Sequence, residues 1–402
     1  MSAKRTAIFN QGQGQQRGAV LMIMLVIMVM GIAAVLISSL STTALKNARQ
    51  ETTSNALAQA KDALIGRAVS DSNMPGSLPC PDTNDDGSAE LLSGNNCPSY
   101  IGRLPWKTLG LPDLRDGSGE RLWYALSPAF RDDNSAQPLN SNTKGTLLVY
   151  NTDGVSLQTQ AGYNAVAVIF SPGSALGSQT RNTVAQQNSA ANYLDIANGQ
   201  NNSSASGPFI AGTQSATFND QFLYITTKDL IPLVEQRVAG EVKRALTDYY
   251  TANGYYPWAD SVAQSADYNS NEGLNRGWLP YLSSTPSSPA EWCCTSFPAW
   301  FYNNEWYKLI YYSVAEYYTP NRFDFGCSTC KLTVDSTNGV RVLFFMPGTP
   351  IGTLTRSLTS LPDYLEDTAN NDDSNDLYVT PTSQALDRDR LYWLPSSSIW
   401  NQ

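Results

Sequence analysis

From Ala19 to Leu40 the chain reads AVLMIMLVIMVMGIAAVLISSL, twenty-two residues without a charge. A helix of that length rises roughly 33 Å at about 1.5 Å per residue, enough to cross the hydrocarbon core of a bilayer. The stretch 1–18 before it carries Lys4, Arg5 and Arg17 but no acid, and the next basic residue is Lys46. That asymmetry predicts a cytoplasmic amino end, a single pass through an inner membrane and a periplasmic remainder. A secretory signal peptide would have a shorter apolar run with its cleavage site behind it. Here the helical pattern continues instead through Leu45, Ala48, Ala56, Ala60, Ala63 and Leu64. One helix of about fifty residues is therefore expected to emerge from the membrane and lay one stripe on a folded head.

A second helical pattern begins where Asp229 can cap a helix with Pro232 in its first turn. Val234, Val238, Val242, Ala245 and Tyr249 then share one face, and Gly254 offers a stop. Strands are predicted at Thr146–Tyr150, Ala165–Phe170, Phe222–Thr226, Tyr307–Val314, Lys331–Val334 and Val340–Met346. Asp153-Gly154 and Asn338-Gly339 are the expected hairpin turns. The stretch from Ser178 to Ser206, rich in Asn, Gln and Ser, reads as a long exposed loop.

Short blocks recur in the same order in both halves. Ala63-Leu64 followed by Leu78-Pro79-Cys80-Pro81-Asp82 matches Ala245-Leu246 followed by Tyr256-Pro257-Trp258-Ala259-Asp260. Gly102-Arg103-Leu104-Pro105-Trp106 matches Gly277-Trp278-Leu279-Pro280-Tyr281, and Leu122-Trp123-Tyr124 matches Glu305-Trp306-Tyr307. The run from Ala167 to Gly173 matches Leu343 to Gly348 with one gap. Tyr193-Leu194-Asp195 matches Tyr364-Leu365-Glu366, and Phe222-Leu223-Tyr224 matches Arg390-Leu391-Tyr392. Partners lie roughly 175 residues apart, far beyond the period of a solenoid, so a duplicated domain is expected. The predicted class is α+β, a helix laid on a small antiparallel sheet once per half. The expected division is a leader (1–18), a transmembrane and amphipathic helix (19–72), a first head domain (73–228) and a second (229–402).

The basic leader ending QQRG, then AVLMIMLV and a helix that turns amphipathic, resembles the class III signal of type IV prepilins and type II secretion pseudopilins. The resemblance implies that a membrane prepilin peptidase cuts between Gly18 and Ala19, leaving the helix in the mature protein. It differs from the usual pattern in having Ala19 first, where Phe or Met is common, and Ile23 fifth, where Glu is common. Lack of that glutamate looks like the minor, tip-type members, such as the large K-type pseudopilin and X-type minor pilins. Tyr-Pro or Leu-Pro soon after each helix is again similar to pilin architecture. The partners implied are other pilin or pseudopilin subunits meeting through the N-terminal helix, the peptidase and the inner membrane. The resemblance is good from Arg17 to about Ala68 and extends to the heads only through the helix–Pro–strand order. The competing expectation is a single-pass envelope adhesin or binding protein that is neither cut nor polymerised.

Composition narrows the chemistry. The chain of 402 residues has no histidine, which removes Ser-His-Asp and Cys-His catalysis, HExxH zinc sites and histidine switches. Gly173-Ser174 and Gly117-Ser118-Gly119 do not make a nucleophile elbow, and no phosphate-binding glycine loop is present. With 26 basic against 35 acidic residues, a net charge of −9, nucleic acid is not expected as a partner. A non-enzymatic role is therefore expected.

The six cysteines, Cys80, Cys97, Cys293, Cys294, Cys327 and Cys330, all follow the span, and a periplasmic location makes disulfides the default. Cys80 with Cys97 would close one loop, and the other four would cross-link in an order left open. The alternative for those four is zinc, favoured by the Cys327-Cys330 spacing and disfavoured by the adjacent Cys293-Cys294 pair. Asp82, Asn84 and Asp86 followed by Gly87 repeat the opening of a calcium loop, with Glu90 at the ninth position and Ser93 where the usual glutamate would stand. Calcium would be held by Asp82, Asn84, Asp86, the Ser88 carbonyl and Glu90. The plainer reading of the same residues is an acidic, Gly-containing turn. Several pseudopilins bind calcium beside the sheet, and the resemblance implies the same possibility here. The acidic run 367–376 reads as a solvated loop. Five tryptophans between Tyr249 and Tyr318 read either as a partner surface or, as the alternation in Trp306–Tyr312 favours, as core.

Overall fold

A computed structural model describes residues 16–132, 137–160, 162–262, 273–280, 297–320, 331–352, 354–371, 375–381, 389–396 and 399–402, the side chains of 16–23 and 31–42 excepted. The first half opens with helix α1, Gln16–Ser70, followed by β1 (Ile101–Arg103), β2 (Trp123–Leu126), β3 (Val149–Tyr150) and β4 (Ala165–Ser171). A one-turn helix α2 (Val184–Gln187) and strands β5 (Ile196–Ala197), β6 (Gln200–Asn201), β7 (Phe209–Ile210) and β8 (Gln221–Thr226) complete it. The second half runs α3 (Thr227–Asn253), β9 (Arg276–Trp278), α4 (Ala299–Asn303) and β10 (Tyr311–Val314). It continues through β11 (Leu332–Val334), β12 (Thr337–Met346), β13 (Leu377–Tyr378) and β14 (Arg390–Pro395). The mixed α+β class read from the sequence is the one observed. Among the described residues no helix is long and apolar enough to cross a membrane. Most of the side chains of the expected span, 19–40, lie outside the described set.

The two halves repeat one topology. In the first, β1-β2-β4-β8 form an antiparallel sheet; in the second, β9-β10-β12-β14 pair in the same sequence, and β11 and β13 extend the far end of β12. The registers coincide as well, since Gly102 faces Tyr124 and Gly277 faces Tyr312. Both glycines sit where another strand crosses tightly. A Cβ on Gly102 would lie 2.5 Å from the Asp82 carbonyl oxygen, and one on Gly277 would lie 1.8 Å from that of Asp260. Tyr193 and Tyr364, matched in sequence, each close a 3₁₀ turn by donating a backbone bond, to Ala190 and Leu361 respectively.

Several local expectations are corrected. The partner of Trp123–Leu126 is Tyr311–Val314, and Trp306–Leu309 is a 3₁₀ helix, where the three-residue period buries both Trp306 and Leu309. β14 aligns Leu391 with Phe222, one residue away from the expected match, because Phe345 and Phe170 face them. The second hairpin turns at Asp335-Ser336, and Gly339, at φ 85°, is the extra residue of a bulge opposite Leu332 and Thr333. Asp229 is not the cap of α3. The helix starts at Thr227, straight out of β8, and the Thr226 amide and hydroxyl both donate to Asp229 Oδ2 at 2.8 Å.

One hydrophobic cluster runs through both halves. Ala56, Leu57, Ala60, Leu64 and Ala68 of α1 are buried in it beside Leu230, Ile231, Val234, Val238 and Val242 of α3. α1 also packs on β4 and β8. Leu45 and Ala48, expected in that stripe, are exposed, since burial begins at Thr53 and residues 43–52 meet the head along one edge, at Gly117 and Gln221. The other face of the first sheet carries a second cluster, with Trp123, Ala125, Val168 and Phe170. The polar stretch 178–206 covers that face. It is therefore not simply an exposed loop: Tyr193 and Leu194 are buried, and the buried Asn202 side chain bonds both the Ile210 amide and carbonyl. Trp258, Trp278, Trp300 and Trp306 are likewise core, and Trp292 lies outside the described residues.

Polar groups lock the halves together. Glu235 of α3, fully buried, accepts from Ser141 and from Arg390 Nη1 at 2.6 Å. Arg237 reaches back to the Val69 and Asp71 carbonyls at the end of α1. Near this seam, burial and the adjacent Glu366 push the Asp389 carboxyl up to about 8. An ordinary aspartate ionises near 4. The native chain thus holds a proton at pH 4–8 that the unfolded chain releases, and its stabilisation fades as pH rises through that window. The urea midpoint is expected to be higher at pH 5.5 than at pH 8, and Asp389→Asn should flatten that difference. Leu64→Ala should lower unfolding free energy by about 2–5 kcal/mol in chemical denaturation, because it opens a cavity under both helices.

Candidate functional site

The Gly18–Ala19 peptide lies in the first turn of α1. Cys293, Cys294, Cys327 and Cys330 lie outside the described residues. Cys80 and Cys97 are joined as a disulfide with their Cα atoms 5.5 Å apart, and both are buried. The bridge clamps the acidic loop at its ends.

Within that loop the structure spends the expected cation ligands on the chain itself. Asp82 Oδ1 accepts from the Asn84 and Asp85 amides at 3.0 and 2.7 Å, and its Oδ2 accepts from Gly87 at 2.7 Å. Asn84 accepts from the Asp86 amide, and Asp86 from the Ser88 amide. Glu90 turns to Thr83, whose amide and hydroxyl donate at 3.1 and 2.6 Å. Asp82 is almost wholly buried, and that burial pushes its carboxyl up against the pull of three amides. Asp86, on the surface, is held below the usual range by the Ser88 amide. Lys107 donates to the Asp86 carbonyl, and Asp85 faces two guanidinium groups. Asp82, Asn84, Asp86, Ser88 and Glu90 are thus near one another but are not directed at a common point. Among the described residues no group of three or more acidic or cysteine side chains is gathered to hold a metal ion. The loop's carboxylates therefore cap its own amides, which is what the plainer reading, an acidic Gly-containing turn, expects.

Beside the loop lies a feature the sequence reading missed. Arg103 at the end of β1, Arg115 and Arg121 line an open pocket of about 330 Å³ together with Asp85, Glu120, Gln187 and Tyr193. The Arg121 guanidinium makes a two-pronged bond to Asp113, at 2.8 and 3.1 Å, and pairs with Asp85 at 2.7 Å. Despite partial burial, Arg121 and Arg115 hold the Asp113 carboxyl below its ordinary value, and Asp113 in turn raises that of Arg121. Arg103, with 5% of its surface exposed, lies 4.6 Å from the Tyr193 ring centroid and 5.1 Å from that of Trp123. Arg181 lies 4.0 Å over the same tyrosine and pairs with Glu120 at 2.6 Å. The available signal was Arg115-Asp116-Gly117-Ser118-Gly119-Glu120-Arg121, a glycine turn that sets two arginines on adjacent bridged positions.

A larger cleft of about 540 Å³ lies where α1 leaves the head, walled by Arg49, Gln50, Asp116, Ser171, Asn219 and Gln221 among others. Gly117 touches α1 there so closely that a Cβ would sit 2.2 Å from the Arg49 carbonyl oxygen. Compared with known proteins, the chain matches no family model, no curated protein and no solved structure.

Replacing Cys80 and Cys97 by alanine should lower unfolding free energy by about 2–4 kcal/mol, the range expected for a loop of this size. The check is a denaturation curve, with the reduced protein following the double variant.

Proposed function

We propose that the chain is a non-enzymatic, pilin-like subunit whose N-terminal helix joins a filament of the type IV pilus or type II secretion kind. The single observation that carries the reading is α1 itself: one helix of 55 residues, packed on a head over its last third and projecting before it. Along the projecting part, Met24, Ile27, Met28 and Met30 each expose 65–68% of their surface. An apolar surface of that size needs lipid or other helices around it. Lipid before assembly and neighbouring subunits' helices afterwards would supply both, with the 19–40 segment as a single membrane pass. The sequence features QQRG and AVLMIMLV support cleavage after Gly18.

Placement at the tip or in low copy follows from size. The two repeated halves share one core, so the head travels as a single body, and along a shaft it would crowd its neighbours. The repeated strand order and registers also support the reading of two pilin-like domains, 73–228 and 229–402, with the joint between β8 and α3.

The test is intact mass and amino-terminal sequencing of the protein, expressed with and without a prepilin peptidase. A new terminus at Ala19 that appears only with the peptidase is expected. Met1 retained in both samples would overturn the assignment and leave a single-pass envelope adhesin as the better reading.

A further inference from the structure

We propose that the arginine-walled pocket beside the Cys80–Cys97 loop binds a sugar carboxylate, a uronic acid residue presented on a glycan. This is independent of whether the chain enters a filament.

The charge count within the pocket comes first. Its wall carries Arg103, Arg115 and Arg121 against Asp85 and Glu120, and the groups behind the wall, Arg181 and Asp113, cancel each other. One positive charge is left over in a chain whose net charge is −9. A monoanion balances it, whereas a phosphate dianion would meet Asp85 and Glu120 with a charge in excess. Guanidinium groups also suit the planar, two-pronged geometry of a carboxylate.

The repeat supplies the second observation. Arg103 and Trp278 occupy the same place in the two halves: each bridges the matched aspartate, Asp82 or Asp260, and each lies on the matched tyrosine, Tyr193 or Tyr364. In the second half an apolar indole fills that place, 4.8 Å from Tyr364. The fold therefore does not require a cation there. Arg103 is buried nonetheless, and its Nε lies 2.8 Å from Asp85 Oδ1 without the alignment of a hydrogen bond. Burying a guanidinium with an incompletely used donor costs stability that an indole would avoid. The Arg103 Nη2 donates to the Gln187 carbonyl at 2.9 Å, and a ligand that meets guanidinium donors not taken by Gln187 and Asp85 is the physical reason to keep it.

The rest of the wall selects the body of that ligand. Asp85 and Glu120 are each paired with arginine yet keep lone pairs for further donors, and the Gln187 amide can serve either way. Sugar hydroxyls answer that pattern, and an apolar group does not. A volume of about 330 Å³ sits at the small end of the roughly 300–1,000 Å³ range of ligand pockets and suits one ring. The open mouth leaves room for the chain of a glycan to continue.

The experiment titrates the full-length protein, in detergent, with D-glucuronate, a short oligoglucuronate, D-glucose and inorganic phosphate, using calorimetry and the fluorescence of the tryptophans. Saturable binding of glucuronate on the order of 1 mM is expected, tighter for the oligomer and weaker in high salt. Glucose should not bind, and phosphate should compete at least tenfold more weakly. Arg115→Gln, at a half-exposed side chain, should weaken glucuronate at least tenfold with an unchanged melting temperature. Arg103→Trp, which copies the second half, should abolish binding while the protein stays folded. The proposal is overturned if glucuronate fails to bind at tens of millimolar, if glucose binds equally, if phosphate binds better, or if both variants bind as the wild type does.

Discussion

Everything in this molecule hangs from a narrow stripe of α1. Ala56, Leu57, Ala60, Leu64 and Ala68 are small enough, or placed closely enough, for the helix to lie against both the first sheet and α3. That contact draws the two halves toward one core and fixes the direction in which the remaining helix projects. A helix buried at six positions from Thr53 to Ala68 and exposed from Met24 to Met30 acts as a stalk, since its outer backbone bonds are all internal. The apolar residues near its start, Met24 to Met30, are then displayed away from the head and exposed among the described residues.

The same contact explains why the seam between the halves is polar at its edge. Three layers meet around α3, and the ends of loops from both halves must bury backbone groups there. Glu235, Arg390, Ser141, Asn304 and Asn140 satisfy those groups with paired or aligned bonds. Such a network contributes less to net stability than to fixing one arrangement, because each charge loses water before it gains a partner. The raised Asp389 carboxyl marks the same tension, a carboxyl buried beside another carboxyl.

Much of this was legible in the sequence because periodicity and repetition are strong signals. The helix spacing of Val234, Val238 and Val242, the runs Ala165–Phe170 and Val340–Met346, and the order of matched blocks all appear where expected. What stayed hidden follows a common cause, which is that tertiary neighbours overrule local pattern. Trp306 to Tyr312 alternates like a strand, yet its first four residues curl into a 3₁₀ turn that buries both Trp306 and Leu309. Asn338-Gly339 is a good turn dipeptide, but the strand needed a bulge there and turned at Asp335-Ser336 instead. The Asn- and Ser-rich segment reads as solvent-facing chain because its few buried residues, Tyr193, Leu194, Asp195 and Asn202, show no period.

The acidic loop is the sharpest case. Its spacing of Asp82, Asn84, Asp86 and Gly87 arises equally from a cation site and from a turn that caps its own amides, because both need oxygens at alternate positions and a glycine to bend back. Sequence spacing therefore separates the two poorly, and the surroundings decide. Here the surroundings are Arg103, Arg121 and Lys107, drawn from segments up to thirty-odd residues away by the crossing at Gly102 and the turn at Gly117. Three cations thus balance part of the loop's acidity. That acidity holds the arginines in place, and the chemistry of the region passes from the carboxylates that the sequence displays to the guanidinium groups that the fold assembles.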